Sequence, residues 1–521
     1  MQIPSRQLAL TALAIVALAV PGLWPVLSPG MSADDYGLQL YARLTPSPLS
    51  FFLEDHSSSY SYRPVTMALW WLVAQLGSQA ELQYLMNIAL HAANALLVGA
   101  LAWRWSGRWQ AMLLAGAIFA AHPAIAATPM WLADRFDLSA TLGILAALLL
   151  IERAIERQRA GWLLPFAAFW AIGSKEIGVV LVVLGVLRLL AARQLTLQLR
   201  VRLALAVILP VAALLLARTA LLRGFDQTLG IADLAQAATS GIAAWWRLSP
   251  SALGMGGPAA TAWLLPLLLL LATLGWWWAA RTPQISCSTP PAPSTALPRA
   301  TIPLLLLGGM LLLPSLVQWP VTQLVLVAPD ALRNPANLRF YYLAFVAVAI
   351  FVGIGLARAN AALAVATSLL VVVCSVPVAR SQSRDWATMT AHNHRPVAAA
   401  LALLAAEPVR GGLCLVQFGG LDAFTDHTHF LDSAIKARLP TDSPWQRCVY
   451  LTSQPPWYSV QPRSSCEDAD LLPLRPRASD VGLMHARRFG SLCVIYPEMP
   501  APALIEGSVG RWQWTGERFQ R

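Results

Sequence analysis

Long apolar runs alternate with short polar loops along most of this chain. About 20 residues at 1.5 Å rise cross a roughly 30 Å hydrocarbon core. The runs at 8–28, 82–103, 110–127, 138–151, 203–221, 260–280, 301–317, 340–357 and 361–379 are read as spanning helices. The run at 161–192 is read as two helices broken at Gly173-Ser174-Lys175-Glu176, because a Lys-Glu pair in mid-bilayer costs more than one at a turn. Nine runs and this pair make eleven spans. The first follows Arg6 and lacks a clean A-x-A site, so it is read as an uncleaved helix with its N-terminus in the cytoplasm. The stretch at 65–77 is too short to span comfortably and is read as a helix lying in the interface, anchored by Trp70 and Trp71.

Composition agrees with a polytopic membrane protein: of 521 residues, 57% are hydrophobic and 12% charged, and the mean hydropathy is +0.56. The net charge of +11 does not point to nucleic acid, because its arginines are scattered through short loops. Under the eleven-span reading those loops face the cytoplasm, as the positive-inside rule requires. The last span then exits outward. Cys414, Cys448, Cys466 and Cys493 all lie beyond it without CxxC spacing, which is expected of disulfides in an oxidising compartment. Residues 413–418, 448–452 and 491–496 read as short buried strands, with a helix at 423–438. The expected architecture is therefore mainly α: a transmembrane bundle over 1–379 and a small periplasmic α/β domain over 380–521, in a bacterial inner membrane.

This topology gathers Asp34, Asp35, Arg63, Arg135, Asp137, Lys175, Glu176 and Arg339 on the outer side. Carboxylates there can accept a proton or bind a metal, and fixed cations can hold a phosphate. Lysine occurs only at 175 and 436, which singles out Lys175 at membrane depth. The same residues admit structural readings. Asp35 or Ser32 can cap a short helix after the first span, and Asp34–Arg63 or Asp137–Lys175 can be ion pairs that tie loops together. His91 and Asn94, one turn apart within a span, and His122 before a proline read first as polar contacts between helices. Asp426-His427-Thr428-His429 has no further ligand cluster near it in sequence.

The order of these motifs resembles the integral-membrane glycosyltransferases of the C-type (GT-C) fold. Asp34-Asp35 is followed by Ser61-Tyr62-Arg63-Pro64-Val65-Thr66, Asn87, His91-Ala92-Ala93-Asn94, Phe119-Ala120-Ala121-His122-Pro123, Ala133-Asp134-Arg135-Phe136-Asp137 and Gly173-Ser174-Lys175-Glu176. Arg339-Phe340-Tyr341-Tyr342-Leu343 is similar to an arginine-aromatic motif of the same proteins. The likeness is closest to protein O-mannosyltransferases whose membrane part precedes tetratricopeptide repeats. Two features depart from that pattern: the cysteine-containing tail stands in place of the repeats, and Leu338 precedes Arg339 where an acidic residue is expected.

What the resemblance implies is an inverting enzyme that moves a sugar from a polyprenyl-phosphate carrier to an acceptor hydroxyl of a protein or glycolipid on the outer face. In such enzymes the first-loop aspartate is catalytic, which maps to Asp34 or Asp35. Arg63, Arg135, Lys175 and Arg339 then hold the donor phosphate, supported by Asp137, Glu176, His91 and His122. Relatives differ in whether they need a divalent cation, so the metal is left open. The alternative class is a transporter or flippase of lipid-linked glycans, which should show internal repeats and midplane charges.

Overall fold

The computed structural model describes residues 5–27, 30–54, 62–77, 79–221, 264–281, 301–317, 341–406, 414–419, 428–440, 442–451, 459–462, 484–489, 492–497, 510–515 and 517–520. Most of them are helical. The N-terminal helices are α1 (Ser5–Leu18), α2 (Ala33–Leu44), α3 (Ser50–Leu53), α4 (Pro64–Leu76) and α5 (Ala80–Ser106). Then come α6 (Trp109–Ala121), α7 (Pro123–Met130), α8 (Arg135–Arg157), α9 (Leu163–Ser174), α10 (Val180–Ala191) and α11 (Leu197–Leu221). The series closes with α12 (Leu264–Arg281), α13 (Thr301–Val317), α14 (Tyr342–Ala359), α15 (Ala361–Ala406) and α16 (Thr428–Arg438).

Among the described residues, five helices are long and apolar enough to cross a membrane, or six if one bent pair is a single span. That pair is α6 and α7, which meet at 60° where a single span over 110–127 is expected. The cause is Pro123: it has no N–H to donate, and it serves as the first residue of α7 with His122 as its N-cap. The anchor role expected of Trp70 in 65–77 also needs correction. Trp70 is fully buried, and the Trp71 ring N–H donates to the Thr45 carbonyl at 3.0 Å, so α4 is held by packing rather than by exposed anchors. The last expected span, 361–379, continues as the 46-residue α15. The side chains change from apolar to polar at Arg380 without ending the helix.

The chain divides into two compact units. One comprises Met1–Val26, Asn87–Ala217 and Asp226–Arg384. In it α8 packs on α9, and α14 packs on α6, α12 and α13. Small residues allow close approach: a Cβ on Gly143 of α8 would lie 2.6 Å from the Ala171 nitrogen of α9. Two ion pairs fix the direction of the chain here. Lys175 Nζ lies 2.6 Å from Asp137 Oδ2 at the start of α8, and Arg188 in α10 forks onto Glu152 at 2.6 and 2.7 Å. Asp137 and Glu152 are about 22 Å apart along α8 at 1.5 Å per residue. The chain therefore climbs α9 to the Asp137 end, turns at Lys175, and returns along α10 to the Glu152 end, the reversal expected at 173–176.

The other unit comprises Leu27–Met86, Arg218–Phe225 and Asp385–Arg521. The boundary expected at 379/380 thus falls inside α15, and residues 27–86 group with the tail. Strand β1 (Cys414–Gly419) lies parallel to β2 (Cys448–Leu451) and to β6 (Gly510–Trp514), and β7 (Phe519–Gln520) completes a sheet of order β2-β1-β6-β7. A second sheet, of order β3-β5-β4, holds β3 (Ser459–Pro462), β4 (Met484–Phe489) and β5 (Leu492–Pro497), all antiparallel. Helix α16 packs against β2, β3 and α2. Of the four tail cysteines, only the Cys448 side chain is among those described, and it is buried. The disulfide expectation otherwise lies outside the described side chains, as do Asp426 and His427.

Candidate functional site

The acid pair opens α2. Ser32 is the N-cap, with extended backbone (φ −92°, ψ 154°), in a capping-box arrangement. The Ser32 N–H donates to Asp35 Oδ2 at 3.0 Å, and Asp35 is 0% exposed. Asp34, one residue earlier in the same turn, is exposed. The two adjacent carboxylates are thus in opposite environments: one closes the helix end, the other is exposed at its positive pole.

The loop before α2 is fixed on several sides within its own unit. The Met31 N–H donates to the Tyr36 hydroxyl at 3.2 Å, and that hydroxyl lies 3.5 Å from His394 Nδ1. The Tyr84 hydroxyl donates to the Gly30 carbonyl at 3.1 Å, and Gln83 donates to Gln39 at 2.6 Å. Burial raises the Tyr36 phenol above its usual range, opposed by the Met31 N–H and the Arg438 charge. In the same unit, Arg63 is the half-buried N-cap of α4, and Pro64 takes the first helical position. The neighbouring Tyr62 hydroxyl donates to the Phe52 carbonyl at 3.0 Å.

The second cluster surrounds the N-terminus of α8 in the other unit. Arg135 is 0% exposed, and its Nε donates to Asn87 Oδ1 at 2.8 Å. The Asn87 amide in turn donates to the Trp131 carbonyl at 3.2 Å and the Pro129 carbonyl at 3.4 Å. Asp137 takes Lys175, whose extended backbone (φ −163°, ψ 154°) ends α9 and aims it at the start of α8. Ser139 and Ser174 hydroxyls meet at 2.8 Å beside this pair. Glu176, half-buried, begins the following turn of 3-10 helix.

The histidines are engaged between helices. His91 Nε2 lies 3.2 Å from the Ala120 carbonyl, which can only accept, so this nitrogen carries the proton. Nδ1 then accepts from the Tyr342 hydroxyl at 2.8 Å, and Tyr342 receives the Asn94 amide at 3.3 Å. That chain ties α5, α6 and α14 together, a long-range role for Tyr342 that no local pattern signalled. His122 Nδ1 accepts the Ala124 N–H at 3.2 Å and caps α7. Arg339 lies outside the described residues. Among the described residues, no group of three or more His, Cys, Asp or Glu side chains is arranged to hold a metal ion.

No family model and no curated protein sequence matches the chain. Among solved structures it is similar to the Archaeoglobus fulgidus oligosaccharyltransferase, crystallised with a tethered acceptor peptide containing the NVT sequon. The identity is 12% and the TM-score 0.46, over 85% of this chain and 64% of that one. The chain thus spans slightly less than two thirds of that protein's length.

Proposed function

We propose that this protein transfers a sugar from a polyprenyl-phosphate carrier to an acceptor hydroxyl at the outer face of the membrane, with inversion at the anomeric carbon. The observation that carries the reading is the exposed carboxylate of Asp34 at the first turn of α2, beside an Asp35 already committed to the helix end. It stands together with the ordered motifs at Arg63, Asn87, His91, Arg135 and Lys175. In the proposed reaction, Asp34 removes the proton of the acceptor hydroxyl as its oxygen forms a bond to the anomeric carbon. The bond from that carbon to the phosphate oxygen breaks, and the electron pair leaves with the polyprenyl phosphate.

The leaving phosphate needs fixed positive charge. Arg63, partly exposed, and Lys175, largely buried in its pair with Asp137, are the cations proposed to meet it. Arg135, wholly buried and bonded to Asn87, is proposed to contribute its field through the protein and to hold the turn before α8. Arg339 keeps the phosphate role that its motif implies. Asp137 and Glu176 are proposed to orient Lys175, and His91 and His122 to hold the helices behind it. The acceptor is a protein or glycolipid hydroxyl.

The test supplies purified protein with a polyprenyl-phosphate sugar and a mixed acceptor pool, and follows release of the lipid phosphate. Release that requires Asp34 supports the reading. Wild-type turnover by both Asp34→Asn and Asp35→Asn, in protein that folds normally, removes this loop as the catalytic centre, and no donor-dependent release by the wild-type protein overturns the reading.

A further inference from the structure

The acid loop precedes α2 by only a few residues, yet much of what holds it comes from more than 350 positions later in the chain. The Tyr36 hydroxyl takes the Met31 N–H from the loop and faces His394 Nδ1 of α15 at 3.5 Å. A side chain at Gly30 would collide with the Thr390 carbonyl of the same helix, so the loop backbone rests directly on α15. About two turns further along α2 from Tyr36, the forked guanidinium of Arg43 donates to the Ala437 and Leu439 carbonyls at the C-terminal end of α16. Gln446 adds bonds to the Lys436 carbonyl at 2.9 Å and the Leu439 carbonyl at 3.2 Å. These groups satisfy carbonyls that a helix end leaves without intrahelical partners. The helix bearing the acid pair is thereby held by α15 at its start and by α16 near its end.

We propose that Tyr36 and His394 are positioning residues for Asp34: their contact fixes the register of the loop that presents this carboxylate, and the C-terminal segment is thus a working part of the acid loop. The inference rests on the proposed transferase reading. Tyr36 is two residues from Asp34 and bonds the backbone three residues before it, so its hydroxyl bridges the turn that carries the carboxylate. Loss of that bridge lets the carboxylate move while leaving its chemistry intact. A displacement of about 1 Å at a reacting group costs on the order of a hundredfold in rate.

The experiment uses the full-length protein and the lipid-phosphate release assay, with kcat and the KM for the polyprenyl-phosphate sugar measured separately. Tyr36→Phe and His394→Leu should each lower kcat by roughly ten- to a hundredfold, with the KM for the donor unchanged. His394→Asn should recover much of the loss, because an amide can stand where Nδ1 stands. Amide exchange of the loop before α2 should quicken in Tyr36→Phe, which removes the acceptor of the Met31 N–H while keeping the ring. Wild-type kcat in both Tyr36→Phe and His394→Leu overturns the proposal, as does a loss confined to KM or an His394→Asn no better than His394→Leu. Asp34→Asn in the same assay separates the two levels. If it is inactive while Tyr36→Phe is unaffected, only the positioning role fails; if it too is fully active, the catalytic role of Asp34 fails, and the absence of any donor-dependent release by the wild-type protein is what defeats the transferase reading.

Discussion

Asp34 and Asp35 are adjacent in sequence and opposite in environment: Asp35 accepts the Ser32 N–H at 3.0 Å and is fully buried, while Asp34 is exposed in the same helical turn. One carboxylate therefore closes the helix end, and the other is the proposed base. Asp34→Asn should lower turnover by roughly 10² to 10⁴ with no change in thermal stability. Asp35→Asn weakens an N-terminal cap and should cost about 1 kcal/mol of stability, with a far smaller effect on rate once the protein is folded. Turnover and thermal unfolding of the two variants, measured side by side, check this. A larger rate loss in Asp35→Asn would reverse the assignment.

The Lys175–Asp137 pair leads to a different kind of expectation. Both side chains are largely buried, with 13% and 5% of their surface exposed. Removing one partner of such a pair leaves an uncompensated charge, a loss of about 3 kcal/mol, whereas replacing both is often close to neutral. Lys175→Met should destabilise the protein, and Lys175→Met combined with Asp137→Leu should recover stability without recovering use of the polyprenyl-phosphate donor. Unfolding midpoints and donor turnover of the single and double variants give the answer. Recovery of turnover along with stability would make Lys175 a structural residue.

The parts of this fold that were legible in the sequence have local causes. Ser32 followed three residues later by an acid announces a cap, and Lys175-Glu176 between two apolar runs announces a chain reversal, because each feature acts over a few residues. The Asp137–Lys175 contact was foreseeable once that reversal was granted. What escaped depends on contacts far apart in the chain. Nothing near Tyr36 points to His394, and nothing near Arg43 points to the carbonyls at 437 and 439. Trp70 shows the same limit: a tryptophan in a short apolar helix reads as an interface anchor, and only the tertiary packing of α4, which lies against α2, makes it a core residue. The bend at His122-Pro123 was written in the proline, but hydropathy averages across it.

A pH dependence is expected of the C-terminal segment. Lys436 in α16 is 0% exposed and lies 3.1 Å from Asp432, whose other carboxylate oxygen accepts the Tyr450 N–H at 3.0 Å. Burial lowers the Lys436 ammonium below the usual lysine range, against the opposing pull of Asp432. The folded form therefore gives up this proton at lower pH than the unfolded form does. Between those two pH values the unfolded state binds more protons, so stability rises with pH across the window and levels off above the unfolded lysine value. Thermal unfolding followed in alkaline buffers should show this rise. Asp432→Asn combined with Lys436→Met keeps an acceptor for the Tyr450 N–H and should flatten it; a slope unchanged in the double variant would place its origin elsewhere.

The ion pairs at the two ends of α8 make the orientation of the chain testable. Lys175 meets α8 at Asp137 and Arg188 meets it at Glu152, so the segments before α9 and after α10 must emerge at the same end of this bundle. The arginines at 153, 157 and 159 precede α9, and those at 193, 200 and 202 follow α10. Under the positive-inside rule, two arginine clusters at one end of adjacent helices are expected on the cytoplasmic side. A fluorescent reporter fused after Arg193 should then be active in the cytoplasm, whereas alkaline phosphatase fused after Glu176 should be active outside. With eleven spans, phosphatase fused after Arg521 should also be active outside. Fluorescence after Arg521 combined with the expected results at the first two positions would leave the α9–α10 reversal standing and remove one span from the later chain. The opposite result at Glu176 would contradict the expected outward placement of Lys175, on which its proposed phosphate role depends.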